Sequence, residues 1–375
     1  MTNDKLKELK RLINKINEKS ETETISLASD RTYTYGWIYT PWPTLNKLIG
    51  GFSRGRFTTI AGPSQTGKTA LILQTIAYNQ KIDKDFICLW SDFESQFDNK
   101  WAATLGIDLD RLIILQYTDK DRYMEVVLDK ALELIKSKAI AMWAIDSIGA
   151  MTPKSDIIDK SGDRALEENN MLRLQVKLGE FYRKANVTIS PSKDFNGCAV
   201  LLVGHVYSVP TTSGAKLEEV RGGNAVKHWA NLRLLTRRGP RADWPKEIQV
   251  MGIDGKPVKL FPGWSGRVKL DKSRQNANEG QEILLNFYHG RGFDWKDSTV
   301  NAAIGLGIIN KAAASYSCEL LPGGKLRGIE AVLEFFEKDE EAYNKLALMV
   351  DAISLENKEI VDKITTEEDN ADIGD

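Results

Sequence analysis

Residues 62–69 read Gly62-Pro63-Ser64-Gln65-Thr66-Gly67-Lys68-Thr69, and no other stretch narrows the folds open to this chain as much. The octet fits G-x-x-x-x-G-K-[ST], a phosphate-binding loop. Arg56-Phe57-Thr58-Thr59-Ile60-Ala61 leads in with the β-branched and apolar residues of a buried strand. Ala70, Leu71, Leu73, Gln74, Ile76 and Ala77 lead out at helical spacing. In a strand–loop–helix context the loop amides converge on phosphate oxygens, and the helix N-terminus adds a favourable dipole. Lys68 then reaches the terminal phosphates and the Thr69 hydroxyl sits on Mg²⁺. A plain glycine turn before a helix is the bland alternative; the full pattern and its context favour a nucleoside triphosphate site.

A chain of 375 residues is long for one domain, so a large α/β core with appended pieces is expected. No apolar run is long enough to span a bilayer, and no apolar signal segment follows Met1-Thr2-Asn3-Asp4-Lys5. A cytoplasmic protein without membrane contact is the expectation. Cys88, Cys198 and Cys318 are few and scattered, and the first two lie in apolar strand patterns, so neither a disulfide framework nor a zinc site is expected. A net charge of −1 argues against a uniformly basic nucleic-acid binder but leaves room for local basic loops.

Leu6, Leu9, Ile13 and Ile16 recur at three- and four-residue spacing among lysines and glutamates. They predict a narrow-striped amphipathic helix over residues 4–18, packed back on the core or docked on a neighbouring subunit. Strands are predicted at 57–61, 86–90, 112–115, 140–145 and 199–203, and helices near 68–80, 98–105, 122–137 and 165–184. Their alternation implies a doubly wound, mostly parallel sheet. Residues 231–236, 267–270 and 282–288 follow without long helices between them and are expected as antiparallel additions at one edge. From Val300 to about Val350 a small helical or mixed unit is marked by Ile329, Val332, Leu333 and Phe336. Beyond Asp351 acids dominate, as in a solvated tail.

Asp146 ends the apolar run 139–145 and Ser147 follows it. An acid at the mouth of a strand beside a phosphate loop is placed to support the Mg²⁺ shell. Asp92 and Glu94 stand at the mouth of another strand, and either qualifies by position to orient the attacking water. Asp98 and Trp101, one helical turn apart, could bond the adenine amino group and stack on its face; core packing is the bland reading of Trp101. His205 directly follows a predicted strand and precedes residues 206–221, rich in Ser, Thr, Gly and charge, which meet Gly222, Gly223 and Asn224. A second such stretch spans 152–164. Long irregular loops inside a compact domain are usually functional. Lys272 and Arg274 alternate near a strand end and would face one way, toward solvent or toward a neighbour's phosphates.

Taken in order, these pieces resemble the RecA recombinase family, especially its phage UvsX-like branch, from about Thr44 to about Leu346. The marks are the phosphate loop, Asp92-Phe93-Glu94, Ile145-Asp146-Ser147, Gly204-His205, Gly222-Gly223-Asn224-Ala225-Val226-Lys227 and Lys272-Ser273-Arg274. The resemblance implies a RecA-like P-loop ATPase core with ATP and Mg²⁺ as ligands. Glu94 is the water-activating carboxylate in that pattern, and Asp98 and Trp101 contact adenine. Asp146 and Ser147 belong to the nucleotide site, and His205 couples phosphate state to the loop after it. Residues 152–164, with Thr152, Pro153, Lys154 and Arg164, are the first DNA loop. Residues 206–221, with Val206, Val209, Arg221, Gly222, Gly223 and Asn224, are the second, and Arg173 lies against DNA phosphate. An apolar residue there, Val206 or Val209, could wedge between bases. Lys272 and Arg274 reach the neighbour's ATP.

The resemblance divides the chain into an N-terminal polymerisation helix and linker (1–31), the ATPase core (32–295), a small C-terminal α/β domain (296–350) and an acidic tail (351–375). The expected activity is DNA-dependent ATP hydrolysis coupled to homologous pairing and strand exchange. The expected partners are single-stranded and homologous duplex DNA, further copies of the chain in a helical filament, and loader and single-strand-binding proteins. A ring helicase or translocase, and a non-DNA ATP-binding regulator of the same superfamily, are the alternatives. Residues 190–197 are an insertion and the stretch 242–263 is longer than in bacterial members, whereas Ile309-Asn310-Lys311, Ser315-Tyr316-Ser317 and the acidic end look bacterial.

Overall fold

Strand positions 140–145 are apolar on both sides of the pleat, so this segment can only sit between two layers of helix. The structure, a computed structural model, describes residues 2–20, 25–27, 29, 36–118, 123–159, 162–163, 170–210, 216–251 and 257–354. Nine strands form its main sheet: β1 Phe57–Ala61, β2 Ile87–Asp92, β3 Leu112–Gln116, β4 Ile140–Asp146, β5 Ala199–Gly204, β6 Ala230–Arg238, β7 Gly263–Ser273, β8 Glu282–Tyr288 and β9 Gly292–Phe293. Their spatial order is β9-β8-β7-β6-β1-β5-β4-β2-β3. The six from β6 to β3 are parallel, and β7, β8 and β9 add antiparallel.

Successive β4 residues serve opposite faces. Met142 and Ala144 join Leu71, Ile72 and Ile76 of helix Lys68–Ile82, while Trp143 and Ile145 join Leu128, Leu178 and Tyr182 of helices Met124–Ile135 and Asn170–Ile189. Trp143 is fully buried and its indole N–H donates to the Ser91 hydroxyl at 2.9 Å, so its one polar atom is satisfied. Burying a side chain of that size stabilises by roughly 2–3 kcal/mol before strain and cavity effects. Cys88, Cys198 and Cys318 are buried and free, and burial pushes the thiols of Cys88 and Cys198 up.

Predicted strands and helices fall within a few residues of those found, with two topological differences. β6 was expected to be antiparallel, yet it runs parallel to β1. The connection from β5 carries only the seven-residue helix Gly223–Trp229, too short to signal a crossover by periodicity, but enough with the preceding hairpin to return the chain. Residues 206–221 were expected to be irregular, yet Val206–Pro210 pairs with Lys216–Val220. In 152–164, one helical turn, Lys154–Ile157, precedes a short pair, Ile158–Asp159 with Gly162–Asp163. The stretch 242–263 holds a two-stranded ribbon, Ile248–Met251 with Pro257–Leu260.

Helix Thr2–Ser20 exposes Leu6, Leu9 and Ile16 of its stripe and leaves Ile13 half-buried, so most of the stripe stays at the surface. C-terminal to β9, helices Lys296–Gly305, Ile329–Lys338 and Glu340–Ser354 and a three-stranded sheet enclose Val300, Ile309, Val332, Phe336 and Leu346. Ile329 and Leu333 lie partly buried against that cluster. The last helix carries residues 351–354, which the sequence assigned to the tail; the rest of the expected tail lies outside the described residues. Among the described residues no helix is long and apolar enough to cross a membrane.

Candidate nucleotide site and its neighbouring loops

β1 delivers the loop 62–69 to the edge of a cavity of about 610 Å³. The two motif glycines are demanded by contact. A Cβ on Gly62 would lie 2.3 Å from the Thr236 carbonyl oxygen, and one on Gly67, whose φ is 81°, would lie 2.4 Å from the Phe293 ring. The Thr66 hydroxyl is 2.8 Å from that of Thr236 on β6, tying loop to sheet. Lys68 donates to the carbonyls of Gly62 (3.1 Å) and Pro63 (2.6 Å), and burial holds its ammonium below its usual pKa. Ser64, Gln65, Thr66, Gly67, Lys68 and Thr69 all line the cavity.

Thr69 donates its hydroxyl to Asp146 Oδ2 at 2.8 Å. Burial raises the Asp146 carboxyl to about 6, against the lowering effect of that hydrogen bond, with the Glu94 carboxylate adding to the rise. A buried carboxylate that costs free energy to ionise is stabilised by a cation placed beside it. The hydroxyl–carboxylate pair therefore fits a Mg²⁺ ion carried with a triphosphate.

Glu94 meets two groups across the cavity. The fully buried Ser147 donates its hydroxyl to Glu94 Oε1, and His205 Nε2 lies 3.4 Å from the same oxygen. Asp92 is instead consumed structurally: its carboxylate accepts the backbone N–H groups of Gln96 (3.2 Å) and Phe97 (2.9 Å). Of the two acids left open by position, Glu94 is the one facing the cavity.

Asp98 caps helix Asn99–Thr104, accepting from the backbone N–H groups of Lys100 (2.8 Å) and Trp101 (3.2 Å), and does not line the cavity. Trp101 both lines the cavity and packs on the core. Sequence reasoning missed Gln96, Arg238, Trp264, Phe287 and His289, which complete the wall. Gln96 lies two residues beyond Glu94 in the loop after β2, whereas β6, β7 and β8 bring the other four in by topology.

Lys272 and Arg274 do point the same way, but at this chain's own backbone. Lys272 donates to the Lys227 carbonyl and Arg274 to that of His228 (2.8 Å), at the C-terminal end of helix Gly223–Trp229. Neither lines the cavity. Burial lowers the Lys272 pKa, and the neighbouring Arg274 and Arg233 lower it further.

The expected DNA loops follow β4 and β5 in the chain. Gly222, with φ 97°, leaves Val226 and Leu178 no room for a Cβ and opens helix Gly223–Trp229, where Asn224 is exposed. Arg221 is exposed and reaches the Gly149 carbonyl at 3.4 Å, bridging the two loop regions. Val206 is partly buried against the core, so it is not a free wedge; the side chain of Val209 lies outside the described residues. In the other loop, Thr152 accepts the backbone N–H of Met124 at 2.9 Å, Pro153 is buried, and Lys154 lies 5.7 Å from the Tyr123 ring. Arg173 pairs with Asp156 at 3.7 Å, and Arg164 lies outside the described residues.

Residues 11–259 match the family described as RecA N-terminal domain. The chain is 30% identical over 303 residues to Protein RecA of Agrobacterium fabrum, covering 80% of this chain and 74% of that one. It is 29% identical over 295 residues to Protein RecA of Acinetobacter baumannii, covering 78% and 75%. With Protein RecA of Acinetobacter baylyi the identity is 27% over 355 residues, covering 93% and 92%. Fold, loop and comparisons agree that this chain belongs to the RecA family.

Proposed function

We propose that this chain is a DNA-dependent ATPase that polymerises on single-stranded DNA and catalyses homologous pairing and strand exchange, as the phage branch of its family does. The observation that carries the reading is Glu94 in contact with Ser147 and His205 on the cavity wall, because His205 is the residue immediately before the hairpin Val206–Pro210/Lys216–Val220. A group that senses the nucleotide is thereby joined covalently to a loop that reaches DNA.

Lys68 and the loop amides would hold the triphosphate, and Thr69, with Asp146 supporting it from behind the metal's direct ligands, would hold Mg²⁺, which would supply charge neutralisation on the phosphates. Glu94 takes the proton from the attacking water. Lys272 and Arg274 serve the neighbouring copy's nucleotide, and helix Thr2–Ser20 docks its exposed stripe on that copy. DNA is held through its backbone, since pairing between strands supplies the sequence search. Bound ATP favours the DNA-gripping filament only by its differential affinity for that state. A cytoplasmic setting, with loader and single-strand-binding proteins, follows from the same reading.

ATP hydrolysis measured with and without single-stranded DNA, beside negative-stain images with a non-hydrolysable ATP analogue, tests it. DNA-stimulated turnover and helical filaments are expected. Closed rings with strand unwinding would indicate a helicase, and no DNA response would indicate a regulator.

A further inference from the structure

Arg238 ends β6 on the cavity wall and is exposed. Its Nε donates to the Gln65 carbonyl in the phosphate loop at 3.1 Å. Its guanidinium carbon lies 4.9 Å from the Trp264 ring centroid. Trp264 is only 3% exposed and is itself fixed, stacked on Phe287 at 4.8 Å and 18° and edge-on to Phe293 at 5.7 Å. Phe293 is the ring pressed against Gly67. Gln65 has φ 58°, a left-handed backbone that few non-glycine residues adopt.

The main chain beside Arg238 is held too. Gly239 donates its N–H to the Ser265 carbonyl at 2.6 Å, and the Trp244 indole donates to the Gly239 carbonyl at 3.0 Å. Arg241 stacks on Phe261 at 4.6 Å and Trp244 meets the same ring at 5.4 Å. These last contacts form the root of the ribbon Ile248–Met251 with Pro257–Leu260.

We infer that Arg238 is a positioning residue for the phosphate loop. Stacked on Trp264, it straps the Gln65 carbonyl so that the loop amides stay convergent before nucleotide arrives. The ribbon Ile248–Met251 with Pro257–Leu260 is rooted where it holds that strap still. Arginine suits the task because its planar guanidinium stacks and donates in fixed directions, which an ammonium does not. A preformed loop forfeits less ordering entropy on binding, so the effect belongs to affinity rather than to the chemical step.

The inference rests on the nucleotide-site reading, and the test separates the two. Full-length Arg238→Ala, Arg238→Lys and Lys68→Ala are titrated calorimetrically with Mg²⁺-ADP, and kcat and KM for ATP are measured on each. Arg238→Ala should raise Kd and KM about tenfold, the scale of one charge-assisted hydrogen bond, with kcat within about twofold. Arg238→Lys should recover little of the loss, and the melting temperature should stay near that of the parent because Arg238 is exposed. Binding by Arg238→Ala within twofold of the parent, a loss confined to kcat, or full rescue by lysine overturns the inference. Lys68→Ala should bind no nucleotide; if it binds normally, the nucleotide-site reading fails as well.

Discussion

The two ends of β6 hold basic side chains in different ways. At its C-terminal end Arg238 is stacked on a buried tryptophan and bonded to the phosphate loop, all within one chain. Near its N-terminal end, Arg233 is paired with Asp271, while Lys272 and Arg274 lean on carbonyls at the end of helix Gly223–Trp229. Such a helix-end contact is worth only about 0.3–1 kcal/mol for an exposed group such as Arg274, and burial already disfavours the charge on Lys272. Cations held so lightly are available to a stronger anion, and a neighbour's triphosphate is one. Under the proposed function, the cavity end of β6 is complete in the monomer, whereas the other end waits for assembly.

The sharpest way to break this contrast is Lys272→Ala with Arg274→Ala. DNA-stimulated kcat should fall by roughly 10³–10⁵, as for other cations supplied in trans. Equilibrium binding of Mg²⁺-ADP by dilute protein should be unchanged, and a matching loss of monomer affinity would place these cations in cis. Glu94→Gln should lower kcat by about 10²–10⁴ while nucleotide and DNA binding persist; unaltered turnover would remove Glu94 from the base role.

Gly67→Ala probes the packed end. A methyl group there meets Phe293 in a left-handed backbone, so denaturant unfolding should show a loss of about 1–3 kcal/mol. Equal stability would mean that the ring moves freely.

Titration gives an effect of similar size that is spread over several pH units. Burial raises the folded-state pKa of Asp146 to about 6, above the ordinary aspartate value of 3.8. The folded chain therefore carries the extra proton between those values, and this contribution to stability is present below pH 4 and lost as pH rises through about 6. Asp146→Asn should flatten that slope by about 2 kcal/mol in unfolding measurements between pH 4 and 7. The Asp294 carboxyl, also raised to about 6 by burial, titrates in the same window and serves as the control substitution. Mg²⁺-nucleotide binding should tighten over the same range, because the ion needs the ionised acid.

Much of the packed end was legible because its constraints are local. A glycine octet between a β-branched strand and a helix specifies its own geometry, and the apolar run 139–145 announces a central strand. What escaped depends on contacts remote in sequence. Arg238, Trp264, Phe287 and His289 reach the cavity through sheet order, and no spacing rule predicts that order. The parallel sense of β6 was hidden by a crossover helix of seven residues, and the hairpin after His205 by a composition that reads as loop. Asp98 carried a helix-cap signal, an acid directly before a helix, and it does cap that helix. The adenine contact was read from its spacing one helical turn before Trp101, and the resemblance pointed the same way.

The claim that each site is completed by another copy has a direct test in mixed assemblies. Glu94→Gln lacks the cis carboxylate and the Lys272→Ala, Arg274→Ala chain lacks the trans cations, so each alone should be nearly inactive on single-stranded DNA. In an equimolar mixture with head-to-tail contacts, about a quarter of the junctions combine an intact cis half with an intact trans half. DNA-stimulated ATP hydrolysis should therefore recover to about a quarter of the parent rate. No recovery above the sum of the two variants, in filaments shown to contain both, would contradict the account.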